Sequence, residues 1–433
     1  MLRGLGFFEK LTFKRVYHFL EKHNILYQYQ FGFRAKHSTS QALISMVENL
    51  KSAIDNGQYG CGLFIDLRKA FDTVNHSILL NKLHHYGIRG ITNDWFKSYL
   101  SDRQQYVSIN GHNSSCSNLI CGVPQGSVLG PLLFLIYIND LPNTSSKLQF
   151  HLFADDTNVN FVSNDLDYIE NCVNEELKSI SKWLRANRLS LNVEKTNFVI
   201  FHSSRRKLDK HVILKLDDSR LTEAKSVKYL GILIDSNLTW KTHISELCKK
   251  LSRTVGILCK IRHYVPVNIL ILLYYSLLYS FMIYGIEVWG NTYISYLKPL
   301  IILQKKAIRI MTFKDPRSSS EPIFKSLSLL KFIDIVKCQT LRFVFQCKNN
   351  RTLPVFDNYF IPLENIHLYN TRQVTHNNIF VSKVNTEQYG KMSIKYRGTI
   401  WWNTLPTTIK SSGTLYSFKS KLKQYILETY RNE

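Results

Sequence analysis

The sequence is poor in acidic residues: 32 Asp and Glu stand against 56 Lys and Arg, a formal net charge of +24 over 433 residues. Self-repulsion on that scale destabilises a compact chain unless a polyanion neutralises it. Nucleic acid is the leading candidate for such a partner, and an anionic membrane surface is the second. The hydrophobic fraction of 45% excludes a disordered chain, and the length suits two or three domains with a substantial core.

Paired cysteines and an export signal are also lacking. The eight cysteines form no Cys-x-x-Cys pair, which argues against a structural zinc site and against a disulfide framework. Residues 1–15 contain no apolar run long enough for a signal peptide, so we expect that the protein is not secreted.

Long uncharged runs are absent with one exception. Between Tyr264 and Ile286 no charged residue occurs, and roughly twenty residues is the length that a bilayer requires. Asn268 and several Tyr and Ser side chains within the run favour a buried globular helix. A membrane span is the alternative, but we expect no stable membrane association.

Two acidic sites end apolar strands. Gly60–Ile65 is a short continuous apolar run that stops at Asp66, which predicts a strand buried on both faces. Leu148, Phe150 and Leu152 alternate with polar residues and lead to Asp155-Asp156, which predicts a hairpin with two carboxylates at its turn. A solvated turn is the simpler explanation of an isolated Asp-Asp pair.

Other patterns fix the surrounding elements. Apolar residues from Leu166 to Leu184 step by threes and fours, which predicts a helix, and 104–109 is predicted to be a strand. Residues 30–34 are predicted to interrupt the N-terminal helices. The last part, from Asn365, holds ten Lys and Arg against three Glu and interleaves them with aromatic residues, which suits either nucleic-acid binding or a solvated extension.

The acids suggest a reaction. Mg²⁺ prefers carboxylate oxygens and leaves coordination positions open for phosphate and water. Two such ions about 4 Å apart can activate a hydroxyl and stabilise a departing pyrophosphate. Asp66 and Asp155 are far apart in sequence, so this site requires a sheet that places their strands side by side.

Six motifs, in order, resemble those of reverse transcriptases of non-LTR (LINE-type, Jockey-like) retrotransposons. They are Gln30-Phe31-Gly32-Phe33-Arg34 with Ser38-Thr39, Gly62 to Val74 around Asp66, Gly122 to Pro131, Phe153-Ala154-Asp155-Asp156, Leu191-Asn192 with Lys195-Thr196, and Tyr229-Leu230-Gly231. The resemblance covers residues 8–240 closely and continues into the C-terminal part. A group II intron maturase, a related kind of enzyme, is an alternative, but Phe71-Asp72-Thr73-Val74 and the continuation Val128-Leu129-Gly130-Pro131 favour the LINE type.

The resemblance implies roles for the acids and their neighbours. Asp66 and Asp155 would hold two Mg²⁺ ions, with Mn²⁺ as an alternative, and Asp156 would support them as a metal-binding and catalytic residue. Lys195 would protonate the leaving pyrophosphate; a surface lysine is the alternative. Asp72 is expected to cap the helix that follows.

The resemblance also assigns the substrate contacts. Phe71 would exclude the ribose 2′-hydroxyl, while Gln125, Gly126 and Arg34 would contact the incoming dNTP or the template. Core packing for Phe71 and an ordinary turn for Gln125 and Gly126 are the alternatives. Tyr229, Leu230 and Gly231 would begin the hairpin that grips the primer.

The implied architecture is α+β. It is a right-hand polymerase with partial fingers at 1–59, an RRM-like antiparallel palm sheet packed on helices at 60–240, a helical thumb or connection at 241–350, and a basic C-terminal extension at 351–433. RNA template, DNA primer or target, and dNTPs would be its partners, and the family implies the nucleus or cytoplasm.

The chain is expected to be truncated at its N-terminus. It begins inside the first fingers helix, so the upstream Arg-Pro-Ile motif and the endonuclease domain of these elements are expected to be missing, and a partner supplying an endonuclease is not identified. A catalytically inactive remnant that only binds nucleic acid is therefore the alternative to an RNA-directed DNA polymerase.

Overall fold

The computed structural model describes residues 2–366 and 377–432, and it mixes helices with strands, which confirms the α+β class. The α-helices are α1 (Leu2–Lys22), α2 (Thr39–Asp55), α3 (His76–His85), α4 (Ile91–Leu100), α5 (Gly130–Ile138), α6 (Leu166–Ala186), α7 (Lys241–Ile261), α8 (Val267–Leu273), α9 (Ser280–Ile283), α10 (Ile286–Trp289), α11 (Ile294–Met311), α12 (Glu321–Leu327), α13 (Phe332–Lys348), α14 (Ile394–Asn403), α15 (Thr407–Lys410) and α16 (Leu415–Asn432).

The strands are mostly short. They are β1 (Tyr59–Ile65), β2 (Gln104–Gln105), β3 (Ser108–Ile109), β4 (His112–Asn113), β5 (Ser117–Asn118), β6 (Gln149–Phe153), β7 (Asp156–Ser163), β8 (Asn197–Phe201), β9 (Lys215–Leu216), β10 (Ser219–Arg220), β11 (Thr222–Glu223), β12 (Ser226–Tyr229) and β13 (Ile232–Asp235).

The chain divides into two compact units. The first unit comprises residues up to 37 together with 60–200 and 207–224, and the second comprises 38–59, 201–206 and 225 onward. These units group the residues differently from the four predicted polymerase subdomains, since residues 38–59 belong with the C-terminal half. The subdomain boundaries stay a prediction.

The first unit is built on a five-stranded sheet with the strand order β11-β8-β1-β7-β6. β6 and β7 are antiparallel neighbours, but β11 pairs in parallel with β8. The prediction of an antiparallel sheet is therefore wrong for that edge. A parallel pair needs a connection of a dozen residues or more, and residues 202–221 provide it.

The predicted central strand is confirmed in position and burial. Every residue of β1 is buried, as expected for an uninterrupted apolar run inside a sheet. α6 buries Ile169, Val173 and Leu177 along one face, in agreement with its helical spacing. Asp66 therefore follows a strand that is packed inside the sheet.

The predicted strand at 104–109 is wrong as a single element. The structure has two separate strands, β2 and β3, each of two exposed residues. β2 pairs with β5 and β3 pairs with β4, so the two halves follow different partners. Without a buried face, alternation alone does not keep the segment straight.

The uncharged run at 264–286 folds inside the second unit as short pieces: α8, a π-helical turn at 274–279, α9 and the start of α10. Leu270, Tyr274, Leu278 and Met282 point into the core at four-residue intervals. Within the described residues, no helix has both the length and the apolar character needed to cross a bilayer.

The C-terminal region is part of the folded second unit and not a separate extension at the described residues. Phe418 of α16 stacks on Phe345 of α13, with ring centroids 4.4 Å apart. The carboxylate of Glu48 in α2 accepts a hydrogen bond of 3.0 Å from the first amide of α14, at Ile394. Apolar burial and this buried cap tie the region to the helices before it.

Glu287 provides a test of the second unit's core. Its Oε2 is buried and, in the described structure, receives no hydrogen bond. Burial raises the pKa of Glu287, against the opposing hydrogen bonds and the charge of Arg342. Below the ordinary Glu pKa of about 4.3 the carboxyl group is neutral in both states; as the pH rises through the raised native pKa, stability is lost.

We therefore expect Glu287→Gln to stabilise the protein at pH 7–8 and to have little effect near pH 4. Differential scanning calorimetry should show a higher Tm at neutral pH, by about 1 °C for each kcal/mol regained if the 433 residues unfold together, because the entropy of unfolding scales with chain length. Glu246→Gln is the matched control, because that carboxylate is exposed and paired with Lys249 at 2.6 Å. A lower neutral-pH Tm for Glu287→Gln alone would contradict the prediction.

Candidate functional site

Asp66 lies immediately after β1, half-buried, and both of its backbone groups are bonded. Its N–H donates to Oγ1 of Thr196 at 3.2 Å, and its carbonyl accepts from the N–H of Asn192 at 2.8 Å. The motif that contains Lys195 therefore runs beside the motif that contains Asp66. This pairing fixes the position from which the Asp66 carboxylate projects.

Asp155 occupies a two-residue turn between β6 and β7. Phe153 pairs with Asp156, so Ala154 and Asp155 form the loop. Ala154 has a φ of +58°, a left-handed conformation that costs a residue with a Cβ about 1–2 kcal/mol. Two-residue hairpin loops need such a conformation, and the surroundings must hold it in place. The predicted hairpin with the two acids at its turn is confirmed.

Gln30 holds this turn. Its side-chain carbonyl accepts hydrogen bonds from the N–H of Gly32 at 2.9 Å and from the N–H of Ala154 at 3.1 Å. The side chain is 1% exposed. The backbone beside it pairs with β6, because Phe31 N–H donates to the Leu152 carbonyl at 2.7 Å and Leu152 N–H donates to Tyr29 at 2.9 Å.

Gly32 has no room for a side chain. A Cβ at this position would lie 2.3 Å from the backbone nitrogen of Ala154. Only glycine allows the backbone of residues 30–33 to pack directly on the turn. The local sequence pattern predicts a break between helices here, and the structure adds that this segment pairs with the edge of the sheet at Leu152.

The three acids share one electrostatic environment. Partial burial of the carboxyl group, together with the charges of Asp155 and Asp66, raises the pKa of Asp156, although the residue as a whole is exposed. Carboxylates that repel one another in this way gain from a bound cation. Their oxygens are the donors that Mg²⁺ prefers.

The metal assignment itself stays a prediction. In the described parts of the chain, no three His, Cys, Asp or Glu side chains are grouped closely enough to hold a metal ion. The donor chemistry of Asp66, Asp155 and Asp156 suits Mg²⁺, which prefers carboxylate oxygens.

Phe71 is half-buried between two other aromatic rings. It stacks on Phe134 of α5, with centroids 4.4 Å apart and an interplanar angle of 25°, and meets Phe33 edge-on at 6.3 Å. The packing role that the sequence left open is thus observed. Contact with a nucleotide sugar stays a prediction.

Gln125 and Gly126 lie in a loop that is bonded to the turn after Asp66. Val123 N–H donates to the Phe71 carbonyl at 2.9 Å, and Gln125 Nε2 donates to Oδ1 of Asp72 at 2.8 Å. Gly126 has a φ of +84° and faces open space. The prediction that Asp72 caps the following helix is wrong. Asn75 caps α3, because its side chain accepts a hydrogen bond from the Ile78 N–H at 3.1 Å.

A cavity of about 610 Å³ opens beside this loop in the first unit. Its lining combines amide and cationic side chains with Asp72: Lys69, His76, Arg103, Gln104, Gln105, Asn118 and Gln125 are among them. Such a lining can bind a polar or anionic group, and sequence patterns did not indicate the contribution of residues 103–105 and 118.

The two predicted cationic site residues differ in their surroundings: the side chain of Arg34 is hydrogen-bonded within the protein, whereas Lys195 is exposed. Arg34 makes a two-pronged contact with Glu21, at 3.0 Å from Nε and from Nη2, and donates to the Tyr27 carbonyl at 2.8 Å. Burial alone would raise the pKa of Glu21. Hydrogen bonds from Arg34 and Tyr17 outweigh burial, so the pKa of Glu21 is lowered. A phosphate contact by Arg34 would require this pair to open. Lys195 is exposed.

Tyr229, Leu230 and Gly231 belong to the second unit. Tyr229 ends β12 and pairs with Ile232, and Leu230 and Gly231 form the turn to β13, with φ values of +44° and +81°. The hydroxyl of Tyr284 donates to the Leu230 carbonyl at 2.7 Å. The predicted hairpin is present; its contact with a primer stays a prediction.

Comparison with known families gives a consistent result. The family model described as reverse transcriptase (RNA-dependent DNA polymerase) matches residues 8–234, more than half of the chain. The chain is similar to the probable RNA-directed DNA polymerase from transposon X-element of Drosophila melanogaster, with 29% identity over 357 residues, 79% of this chain and 38% of the relative. It is also 29% identical over 327 residues to the RNA-directed DNA polymerase from mobile element jockey of the same species, 71% of this chain and 34% of that one.

These relatives are much longer, since the chain spans little more than a third of each. Among solved structures, telomerase from Candida albicans in complex with a fragment of telomeric RNA aligns with a TM-score of 0.37 and 12% identity, over 86% of this chain and 57% of that one. A TM-score at that level supports no statement about the fold.

The Gln30 contact can be tested by stability. Gln30→Leu should leave the amides of Gly32 and Ala154 without their acceptor, at a cost of about 1–3 kcal/mol for each buried group. Urea denaturation should show the loss, and hydrogen exchange at both amides should accelerate. Gln41→Leu is the matched control: Gln41 is also buried, but its Oε1 accepts no hydrogen bond in the described structure. Equal denaturation midpoints for the two variants would exclude the proposed anchoring.

Proposed function

The chain belongs to the reverse transcriptase (RNA-dependent DNA polymerase) family, and from this membership we propose that it carries the RNA-directed DNA polymerase domain of a LINE-like, non-LTR retroelement. The reaction would be the attack of a primer 3′-hydroxyl on the α-phosphorus of a dNTP, with pyrophosphate as the leaving group. The template would be RNA and the primer DNA.

One observation carries the proposal most directly. Asp66 follows β1, and Asp155 and Asp156 lie on the hairpin whose strand β7 is the neighbour of β1 in the sheet. Asp66 is therefore close enough to the hairpin that its charge, with burial and the charge of Asp155, raises the pKa of Asp156. When bound to these carboxylates, Mg²⁺ or Mn²⁺ would act as the Lewis acid for both the attacking and the leaving oxygen.

The strand order supports a palm at residues 60–240. β1, β6, β7 and β8, with helices in the connections β1–β6 and β7–β8, take the order β8-β1-β7-β6, the split βαβ arrangement of ferredoxin-like and RRM-like folds. In the proposed right hand, residues 1–59 contribute partial fingers, 241–350 the helical thumb or connection, and 351–433 the basic C-terminal region.

The remaining residues take supporting roles in this proposal. Phe71 would exclude the ribose 2′-hydroxyl, since its ring is fixed by Phe134. Gln125 and Gly126 would contact the nucleotide or template, and Lys195 would protonate the leaving group. Arg34 would contribute only if its pair with Glu21 opened. Tyr229, Leu230 and Gly231 would contact the primer.

A second candidate function is nucleic-acid binding without catalysis. The engagement of Arg34 by Glu21 favours it, because this guanidinium is then not available to a triphosphate. The positive charge of the chain would serve this function equally well.

A primer-extension assay separates the two functions. With poly(rA), oligo(dT), dTTP and Mg²⁺, we expect Asp66→Asn and Asp155→Asn to reduce extension by at least ~10³-fold, because each removes a carboxylate that would hold the metal. Asp167→Asn is the matched control, since Asp167 is exposed on α6 and pairs with Lys210 at 2.6 Å. If the unmodified protein extends no better than Asp155→Asn, the polymerase proposal fails and the binding function remains.

Salt dependence tests the role of the charge. If the basic surface neutralises about four phosphates, affinity for a primed template should fall roughly 10²-fold between 50 and 200 mM salt. Fluorescence anisotropy at five or six salt concentrations gives the slope of log K against log salt. A flat plot would show that the net charge of +24 does not serve nucleic-acid binding.

A further inference from the structure

Phe33 is an exposed aromatic residue in a left-handed backbone conformation. Its φ is +52°, and 52% of the residue is exposed. A bulky residue with positive φ is an outlier, because its Cβ crowds the backbone. Such strain persists only where the surroundings impose it, and it concentrates at functional sites.

The neighbours of Phe33 impose its conformation. Phe31 is 1% exposed and bonded through its N–H to Leu152, and Gly32 is pressed against the turn at Ala154. On the other side, Arg34 is held by its contact with Glu21. Phe33 is therefore a single outward-facing residue whose backbone lies between two anchored neighbours.

The ring lies beside the proposed polymerase site. Its centroid is 6.3 Å from that of Phe71, with the two planes at 89°. Phe71 is five residues after Asp66, and the residue preceding Phe33 contacts the turn that carries Asp155. An edge-on contact occupies only part of an aromatic surface, so the exposed part of Phe33 is available to a planar ligand.

We propose that Phe33 is a base-stacking residue of this site, on which a nucleobase of the incoming deoxynucleotide or of the template strand stacks. The proposal rests on the proposed function, since it takes the ligand to be a polymerase substrate. A rigid aromatic ring suits this task because every base offers a π-face and stacking tolerates any sequence. The strain at residue 33 is then the cost of presenting the ring outward.

Substitutions at Phe33 test the proposal. Phe33→Ala and Phe33→Leu should weaken nucleobase binding by about 5- to 150-fold, the range for loss of one stacking partner, whereas Phe33→Trp and Phe33→Tyr should restore it. A raised KM for dTTP with unchanged template affinity identifies the incoming nucleotide as the ligand. A raised Kd for the primed template identifies the template strand.

Tyr168→Ala is the matched control. Tyr168 lies on α6, is 53% exposed, and contacts Phe161 with a ring separation of 6.0 Å, so it resembles Phe33 in exposure and in its aromatic contact. We expect this variant to bind and extend like the unmodified protein. If Tyr168→Ala and Phe33→Ala are impaired equally, the effect is general and the proposal is overturned.

A stability measurement separates stacking from folding. Phe33→Gly relieves the left-handed strain, so its Tm should equal or exceed that of the unmodified protein while binding falls as in Phe33→Ala. Template oligonucleotides with 2-aminopurine near the primer terminus should be less quenched by Phe33→Leu if the template base stacks. Normal KM, Kd and quenching in Phe33→Leu and Phe33→Gly together would overturn the proposal.

The failure of the proposed function gives a different result. In that case the unmodified protein would not extend the primer, yet its affinity for the primed template could still be compared with that of Phe33→Leu. Equal affinities would then exclude stacking on the template strand, and equal direct binding of dTTP by the two proteins would exclude stacking on the nucleotide. Weaker binding of either ligand by Phe33→Leu would retain the stacking in a protein that does not extend the primer.

Discussion

One side-chain carbonyl joins the two parts of the candidate site that sequence places furthest apart. Oε1 of Gln30 accepts from the amides of Gly32 and Ala154, so the segment before α2 and the turn that carries Asp155 share an acceptor. Ala154 holds a left-handed conformation without being glycine, and this shared hydrogen bond is one of the contacts that hold it there. The contact thus joins Gly32, which precedes the exposed Phe33, to Ala154, which precedes Asp155.

Backbone contacts of this kind recur around the site. Asp66 is fixed through its own N–H and carbonyl, and the loop with Gln125 is joined to Phe71 through a backbone bond from Val123. Gly122 repeats the role of Gly32, since a Cβ there would lie 2.8 Å from the Asp72 carbonyl oxygen. Backbone anchoring leaves the carboxylates of the acids unused by the fold, which is what a site that binds an external group requires.

Sequence patterns predicted the elements whose character is local. β1 is a continuous apolar run, α6 has a clean helical period, and the β6–β7 hairpin alternates, so each was found where expected. The anchoring role of Gln30 was not predicted, because its partner Ala154 is more than a hundred residues away. No periodicity in 28–34 indicates that this segment pairs with the edge of a sheet. The single strand predicted at 104–109 is wrong because its residues are exposed. Alternation of residue types indicates one continuous strand only where one face packs on a core, and β2 and β3 have no such face.

The charges around the acids argue against a purely structural role. Elsewhere in the first unit, carboxylates have cationic partners: Asp140 pairs with Lys82 at 2.6 Å and Asp217 with Arg185 at 2.7 Å. In the described residues no ion pair includes Asp66, Asp155 or Asp156, and their mutual repulsion contributes to the raised pKa of Asp156. A chain with 56 Lys and Arg could have supplied a counter-charge there, but Arg34 is bound to Glu21 and Lys195 is exposed. A group of unpaired carboxylates in so positive a protein can accept a polyanionic substrate only together with cations, and this requirement is the physical link between the three acids and the chemistry proposed for them.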